Sequence, residues 1–572
     1  MYMKRKVACL LCLAICFSAG CKKTGSEESS GSQGSDASSE VLDSVKESPT
    51  SSSEDTTTSE TGTEVPDVEV HIERDLSYLP IEVVSEWDPF YPRELTDEDF
   101  EYDELGDPVS VVPGAGYSFD KLQIEGEEYK KIQEMLDALQ GPWIEQTLKG
   151  YEQKCNELKE LDESAYSDEE GEMYELRMNL YRADTKVITF DYYLRPETDL
   201  EDDDGFSGGV STVVNVSTET GKVLTLSDVV KDKARFEEVL SEEIEYDSYT
   251  DVTDDEKKTC EQTRHELIEN DNLEFRLFYD RIEVRMKQGG EYYENPDIFS
   301  IPVYKYPEVF NLDLFEHVPE YYIITADPEE PVYWDINGDG ELDVVQKTPA
   351  SGEDTGNEQD FILSINVNEL TYKTYSWFGY SFVQADDGRY LYLVVDNGVD
   401  CVRINDDLSM EIIKRNVPFP MNSWEVPTGT DPSHFTNLET LNFLGLRMMT
   451  RYWTAIGVNG IPQATSNYYG DYGFKDTSKV ELPAVLFDME TKTKGEETKI
   501  PKGSTFELLE YDKDGNQALF KITPPKANGH ESDYYAWVEY ILNDPEVEDA
   551  VPKGDIGGIE ETAVFDSIEY GG

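Results

Sequence analysis

The sequence predicts a multidomain chain, α+β at its N-terminal end and mostly β beyond. The parts are an α+β domain, a β-rich domain carrying a calcium-type hairpin loop, and a small C-terminal barrel. Three observations predict this. The chain has 572 residues, more than one hydrophobic core usually serves, and fits about two to four domains. Apolar residues recur at helical spacing mainly in the first folded stretch, then give way to β-rich runs. Tyr is abundant, at 36, and Gly, Asp, Asn and Pro recur as turn formers between short runs.

Residues 1–20 read as a leader. Lys4, Arg5 and Lys6 give a positive start, and the apolar run Val7 to Phe17 is too short to cross a bilayer as a helix. Ser18-Ala19-Gly20-Cys21 follows. Small residues before a Cys resemble the bacterial lipobox, although Ser18 stands where that box usually carries Leu. The resemblance implies cleavage before Cys21, lipidation of Cys21, and anchoring at the extracellular face of the cell membrane. Residues 21–67 are nearly all Ser, Thr, Gly, Glu and Asp beyond the Cys. They cannot bury enough apolar surface to offset ordering entropy, so a disordered acidic tether is expected. Residues 68–112, with Glu86-Trp87-Asp88-Pro89-Phe90-Tyr91-Pro92, read as an extended acidic lead-in.

Charge excludes some partners. Lys and Arg number 48 against 122 Asp and Glu, a formal charge of −74. Loss of the three leader bases takes it to −77. Phosphate would be repelled, so nucleic acid is excluded, and so is direct docking on anionic headgroups. Cationic proteins and metal ions are favoured. Of seven Cys, three leave with the leader and Cys21 takes the lipid. Cys155, Cys260 and Cys401 remain far apart in sequence, with room for at most one internal disulfide.

Residues 113–316 read as the α+β domain. Ile132, Met135, Leu136 and Leu139 begin a helical pattern that continues through Leu158. Strands follow at Lys186–Tyr193 and Val210–Ser217, helices at about 232–243 and 257–270, and strands at Phe275–Phe278, Ile282–Met286 and Phe299–Val303. Several pieces resemble domain of unknown function 3298. They are Arg182 to Phe190, Gly208-Gly209, the Thr220-Gly221-Lys222 turn with Leu224-Thr225-Leu226, and Phe299-Ser300-Ile301-Pro302. That domain occurs in lysozyme-sensing anti-sigma factors and beside peptidoglycan deacetylase domains. The family often carries Gly-Gly-Ala-His-Gly where Gly208 to Thr212 stand here, so any role of that His is absent. The resemblance implies an α+β recognition domain near the cell wall.

Residues 317–473 read as the β-rich domain, with a short helix near Leu438–Thr454. Its sharpest motif runs from Trp334 to Val345. Counting from Asp335, oxygen side chains fall at Asp335, Asn337, Asp339 and Asp343, with Gly340 at the sharp turn and Glu341 supplying a backbone carbonyl. This suits a hard cation such as Ca²⁺. Gln346 stands where an EF-hand has its bidentate Glu, and the flanks read as strand. The loop resembles the Asp-rich hairpins of FG-GAP modules. A metal-free hairpin turn is the alternative. Asp386-Asp387-Gly388 is a degenerate relative with too few ligands for a second site.

Residues 474–545 resemble a bacterial SH3-like domain through Pro501-Lys502-Gly503 and the late Trp537-Val538, with Trp537 expected in its core. Residues 546–572 read as a loose acidic tail.

Catalysis is not expected. His71, His265, His317, His434 and His530 are isolated in sequence. Gly205-Phe206-Ser207-Gly208-Gly209 matches the letters of a nucleophile elbow but lies between an acidic loop and a strand, so Ser207 is not read as a nucleophile. The expected function is a membrane-anchored binding or sensing module at the cell wall or surface, recognising a wall ligand or a cationic protein. The alternative is a component of a peptidoglycan hydrolase or deacetylase system, acting through a carboxylate pair that sequence cannot select.

Overall fold

The computed structural model describes residues 68–93, 100–102, 108–110, 112–161, 166, 172–195, 210–244, 254–286, 297–326, 330–349, 359–374, 377–395, 398–417, 431–469, 474–525, 532–543, 553–565 and 568. The leader, Cys21, the tether, Ser207, Gly208, Gly209 and His530 lie outside the described residues. The first strands are β1 (Glu73–Leu76) and β2 (Ile81–Phe90), then a hairpin of β3 (Phe100–Tyr102) and β4 (Pro108–Ser110). That hairpin is the described part of the smaller of two compact units. The larger unit holds residues 65–95 and 112–572 and every other described element.

The first large sheet uses β5 (Ala115–Ile124), β6 (Glu172–Ala183), β7 (Val187–Arg195) and β8 (Val210–Ser217), in the order β2-β5-β6-β7-β8. β5 and β6 run parallel, so a crossover is needed between them. Helix α1 (Lys130–Glu160) supplies it. Strand alternation sends Ile188, Phe190, Tyr192 and Leu194 into the core that Leu136 of α1 shares, with Trp143 stacked on Tyr192 at 3.6 Å. Gln140 acts as a substitute strand: its side chain accepts from Leu122 N (2.8 Å) and donates to Leu122 O (2.9 Å). Gly150 lets the helix close on β6, since a Cβ there would stand 2.4 Å from the Tyr174 ring.

The supposed lead-in at 68–112 is thus corrected. β2 pairs with β5 from Ile81↔Ile124 to Phe90↔Ala115, and β1 pairs parallel with β12 (His317–Pro319). Val70 is buried in a core shared with residues hundreds of positions later. The apolar residues Ile81, Val83 and Val84 were outweighed by the Pro and acids around them.

Three helices follow β8: α2 (Leu226–Val229), α3 (Lys233–Glu243) and α4 (Asp254–Glu269). Asp232 caps α3 by accepting from Arg235 N at 3.0 Å. β9 (Glu274–Leu277), β10 (Arg281–Met286) and β11 (Asp297–Pro302) then form an antiparallel sheet in the order β11-β10-β9. The predicted order of helix, two strands, helices and three strands omitted β6: three strands, β6, β7 and β8, lie between α1 and the next helices. Asn215 of β8 joins the two sheets. Its amide donates to Phe275 O (2.7 Å) and accepts from Leu277 N (3.2 Å) and from the Thr189 hydroxyl (2.9 Å).

The predicted β-rich region holds β13 (Tyr322–Ala326), β14 (Val332–Trp334), β15 (Asp343–Pro349), β16 (Gln359–Ile365), β17 (Asn368–Thr374), β18 (Trp377–Gln384), β19 (Arg389–Val395), β20 (Gly398–Ile404) and β21 (Met410–Val417). They form one sheet in the order β13-β18-β19-β20-β21 and another in the order β14-β15-β16-β17. The five-stranded sheet is buried on both faces, which explains its near-continuous apolar runs such as Tyr390 to Val395. One face (Ile324, Phe382, Leu391, Leu393) packs into the core of the α+β part. The other (Val383, Tyr390, Tyr392, Cys401) packs on Phe435, Trp453 and Ala455.

The C-terminal sheet corrects three expectations. Leu438–Thr454 is not helical: β22 (Phe435–Asn442) and β23 (Leu446–Thr454) form a hairpin closed by Leu444 and Gly445 at φ 48° and 86°. The register pairs Asn442 with Leu446, so Phe443, Leu444 and Gly445 form a three-residue turn whose last two residues take the positive φ. The boundary at 473 does not separate modules, because β23 continues through β25 (Tyr468–Tyr469), after the short β24 (Gln463–Ala464), to β29 (Thr505–Asp512). The same sheet takes in β26 (Lys475–Thr477), β27 (Leu482–Asp488), β28 (Thr493–Ile500), β30 (Gln517–Thr523) and β31 (Tyr534–Asn543), so residues 474–545 are not a discrete barrel. Residues 553–565 of the supposed loose tail are ordered as β32 (Lys553–Ile556), β33 (Ile559–Glu560) and α5 (Glu561–Val564). Ile556, Val564 and Phe565 fill the core, and buried Glu561 accepts from the Tyr540 hydroxyl at 2.8 Å. Trp537 is buried edge-on to Phe487, but it alternates to the face of β31 opposite Ala536, Val538 and Tyr540 and so stands outside the core in which it was expected.

The Asn215 bridge yields a prediction. Asn215→Ala strips partners from a buried carbonyl and a buried N–H, which costs about 2–4 kcal/mol. Hydrogen exchange at 274–277 should accelerate accordingly. Unchanged protection there would show that the side-chain bridge does not hold the sheets together.

Candidate functional site

Of the predicted site residues, Cys21 lies outside the described residues, and the five residues of the Asp-rich loop lie together between β14 and β15. Asp335 and Asp343 are buried; Asp339 and Glu341 are exposed. Asp335 organises the turn, accepting from Gly338 N (2.7 Å), Asp339 N (3.1 Å) and Gly340 N (3.1 Å). Asp343 accepts from Ile336 N (3.0 Å) and from the Asn366 amide (2.6 Å). Asn337 donates to Asp339 at 2.8 Å. Glu341 forms a β-bridge with Glu69. Gly338 and Gly340 both have positive φ, 79° and 84°, which the tight turn requires.

Burial pushes the Asp335 and Asp343 carboxyls above the ordinary range, and neighbouring Asp339 pushes the same way. Three carboxylates thus crowd one turn. This donor set fits a hard cation, which would neutralise charge that the backbone N–H groups only partly balance. The Asp386-Asp387 pair does other work. Its carboxylates accept from Gly457 N (2.8 Å) and Asn459 N (2.5 Å), binding the 456–460 loop. Gly460 is required there, because a Cβ would meet the Tyr390 ring at 2.3 Å.

A second group was not foreseen. Glu73 and Asp75 on β1 and His317 on β12 bring ligand-type atoms within 4.8 Å of one another. His317 Nδ1 is 2.8 Å from Asp75, and Nε2 is 3.7 Å from Asp313. The parallel strand pairing assembles this group across more than two hundred residues, so no local motif announces it. Of the other described His, His265 meets Glu237 at 2.9 Å and His434 stacks on Tyr452 at 4.2 Å.

The deepest charged group is also one whose role sequence reading missed. Arg182 and Asp184 pair at 2.6 Å in the interior, at 1% and 0% side-chain exposure. Asp184 also accepts from Lys186 N (2.7 Å) and Val187 N (2.8 Å), closing the β6–β7 turn. Arg182 Nη1 donates to Phe278 O and Leu314 O, both at 3.3 Å. The guanidinium lies 4.5 Å from the Tyr279 ring centre. Burial, with Asp184 close by, raises the Tyr78 and Tyr279 phenols far above their usual range. Nearby, Asp191 holds Arg276 at 2.6 Å, and Glu283 holds Arg276 at 3.3 Å and Arg281 at 3.2 Å. The signal was present in Arg182-Ala183-Asp184, two charged residues spaced to share one face at a strand end.

Comparison with known proteins gives little by sequence: no family model matches, and no curated protein matches. Two solved structures are similar to part of the chain. One is a DUF3298 family protein from Bacteroides fragilis NCTC 9343, 13% identical, aligned over 42% of this chain and 96% of that one with a TM-score of 0.28. The other is a DUF3298 family protein from Pseudomonas aeruginosa PAO1, 14% identical, over 42% and 97%, with a TM-score of 0.26.

Breaking a buried pair by removing one partner costs about 3–5 kcal/mol, while an exposed pair contributes about 0–1 kcal/mol. Arg182→Met should therefore destabilise far more than Lys499→Met, whose pair with Glu481 is mostly exposed. Denaturant titration of both variants checks this. Equal losses would remove Arg182 from its central place.

Proposed function

We propose that the chain is an extracytoplasmic binding module, lipid-anchored at Cys21, that recognises a cationic surface on a protein or wall component. One observation carries this reading: the way charge is distributed. Four arginines are sunk, with side-chain exposures of 1% for Arg182, 7% for Arg281, 9% for Arg285 and 11% for Arg276. Each faces a carboxylate of the interior. Carboxylates such as Glu69 and Asp514 stand out at 81% and 92%. These four bases are spent on interior carboxylates, and the exposed ones, such as Lys499 and Lys475, belong to a chain whose 48 bases face 122 acids, a balance that attracts positive partners and repels phosphate.

The Asp-rich loop would hold Ca²⁺ in a structural role. Asp335, Asp339 and Asp343 supply carboxylates, Asn337 an amide oxygen and Glu341 its backbone carbonyl. The ion would fix the β14–β15 turn against the segment that leads into β1, since Val70 N donates to Gly340 O at 3.0 Å.

Two tests follow. The immobilised mature chain should retain a cationic protein such as lysozyme, with affinity falling at least about tenfold as salt rises past physiological strength and the Debye length shrinks below about 8 Å. Retention indifferent to salt would overturn the charge argument. Calcium should raise the melting temperature of the wild type but not of Asp339→Asn with Asp343→Asn. The sign with pH is fixed. Burial raises the folded-state pKa of Asp335 and Asp343, so without a cation the loop gains stability as pH falls through that pKa. Calcium holds the ionised form, so its stabilising effect is full at neutral pH and lost on acidification. A calcium effect that survives in the double variant, or grows in acid, would exclude this loop.

A further inference from the structure

A small cavity lies where the α+β strands meet the five-stranded sheet. Its wall comprises Tyr181 and Arg182, the 278–281 turn, and Ile323 to Thr325 of β13, and its volume is about 10 Å³. That volume is the room one water needs for its centre, and too little for any larger molecule. The accessible wall is mainly apolar, with a small polar share, and two buried polar groups lie among its residues. Arg182 carries five N–H donors. Nε is taken by Asp184, and Nη1 by Phe278 O and Leu314 O. Nη2 is buried and meets no acceptor in the protein. The Tyr279 hydroxyl is buried close to Tyr78 and Asp184, without a well-aligned partner.

We propose that this cavity is a site for one ordered water, which accepts from Arg182 Nη2 and hydrogen-bonds the Tyr279 hydroxyl. Charge selects a neutral occupant over an anion. Each guanidinium in the wall already has its carboxylate: Asp184 for Arg182 at 2.6 Å, Asp280 for Arg281 at 3.1 Å. An anion would meet two buried carboxylates with no free positive charge to offset them. A monovalent cation would meet Arg182 and Arg281 in the same way. Water supplies both an acceptor and donors, which a guanidinium and a phenol together require. The water is then part of the joint between the α+β part and the central sheet, completing hydrogen bonds that neither side satisfies alone.

The test is a crystal structure of the mature chain at a resolution that shows ordered solvent, with a parallel bromide soak. The expected result is one solvent peak within hydrogen-bond distance of Arg182 Nη2 and Tyr279 Oη, with no anomalous bromide signal there. Tyr279→Phe keeps the ring under the guanidinium and removes one partner; the peak should weaken or vanish while the fold stays intact. A well-defined but empty cavity would overturn the proposal. So would a bromide peak at the site, an Arg182 Nη2 bonded instead to a protein acceptor, or a water undisturbed by Tyr279→Phe.

Discussion

The buried pair of Arg182 and Asp184 is the constraint around which the α+β half is arranged. Taking a guanidinium and a carboxylate out of water is costly, and their attraction repays that cost only when the remaining donors and acceptors also find partners. Each partner recruited here belongs to a different stretch of chain. Asp184 fixes the β6–β7 turn through Lys186 N and Val187 N, while Arg182 reaches the β9–β10 turn at Phe278 and the segment at Leu314. The result is a fastening whose satisfaction depends on three chain segments arriving together. Buried polar networks of this kind specify one arrangement more than they add stability.

The central five-stranded sheet has a complementary role. Because both its faces are apolar, it cannot stand alone in water. One face is covered by the α+β part and the other by Phe435, Trp453 and Ala455 of the C-terminal sheet. Modules that look like beads in sequence are therefore built against one another. Asp386 and Asp387 hold this contact by accepting backbone N–H groups from the 456–460 loop, and Cys401 adds its thiol to Gly460 O at 3.0 Å.

Much of this was legible where periodicity is local. The helix from Ile132 to Leu158, the strands from Val210 to Ser217 and Tyr390 to Val395, and the turn at Gly338 and Gly340 all declare themselves by spacing or turn chemistry. Features that depend on distant pairing were not legible. β1 reads as acidic coil until β12 is beside it. The Leu438–Thr454 stretch has apolar residues that suit a helix wheel, and only the Leu444-Gly445 turn decides for a hairpin. Residues 546–572 look solvated because acids dominate, yet Val564 and Phe565 are buried. At the candidate site, the loop from Asp335 to Asp343 was found by its side-chain spacing. The group of Glu73, Asp75 and His317 had no such signal.

The pairing of β1 with β12 has a mechanical consequence. The two strands run parallel, and the chain enters β1 at its N-terminal end, just after Val70 has docked on Gly340. A pull on the preceding chain is directed along the strand, across the hydrogen bonds rather than in line with them. The Val70–Gly340 and Glu73–Glu316 bonds and the β1–β12 ladder then share the load in shear instead of opening one at a time like a zipper. A body held by such a strand yields late and all at once, which makes residues 68–76 a mechanical fuse between the chain before them and everything folded after.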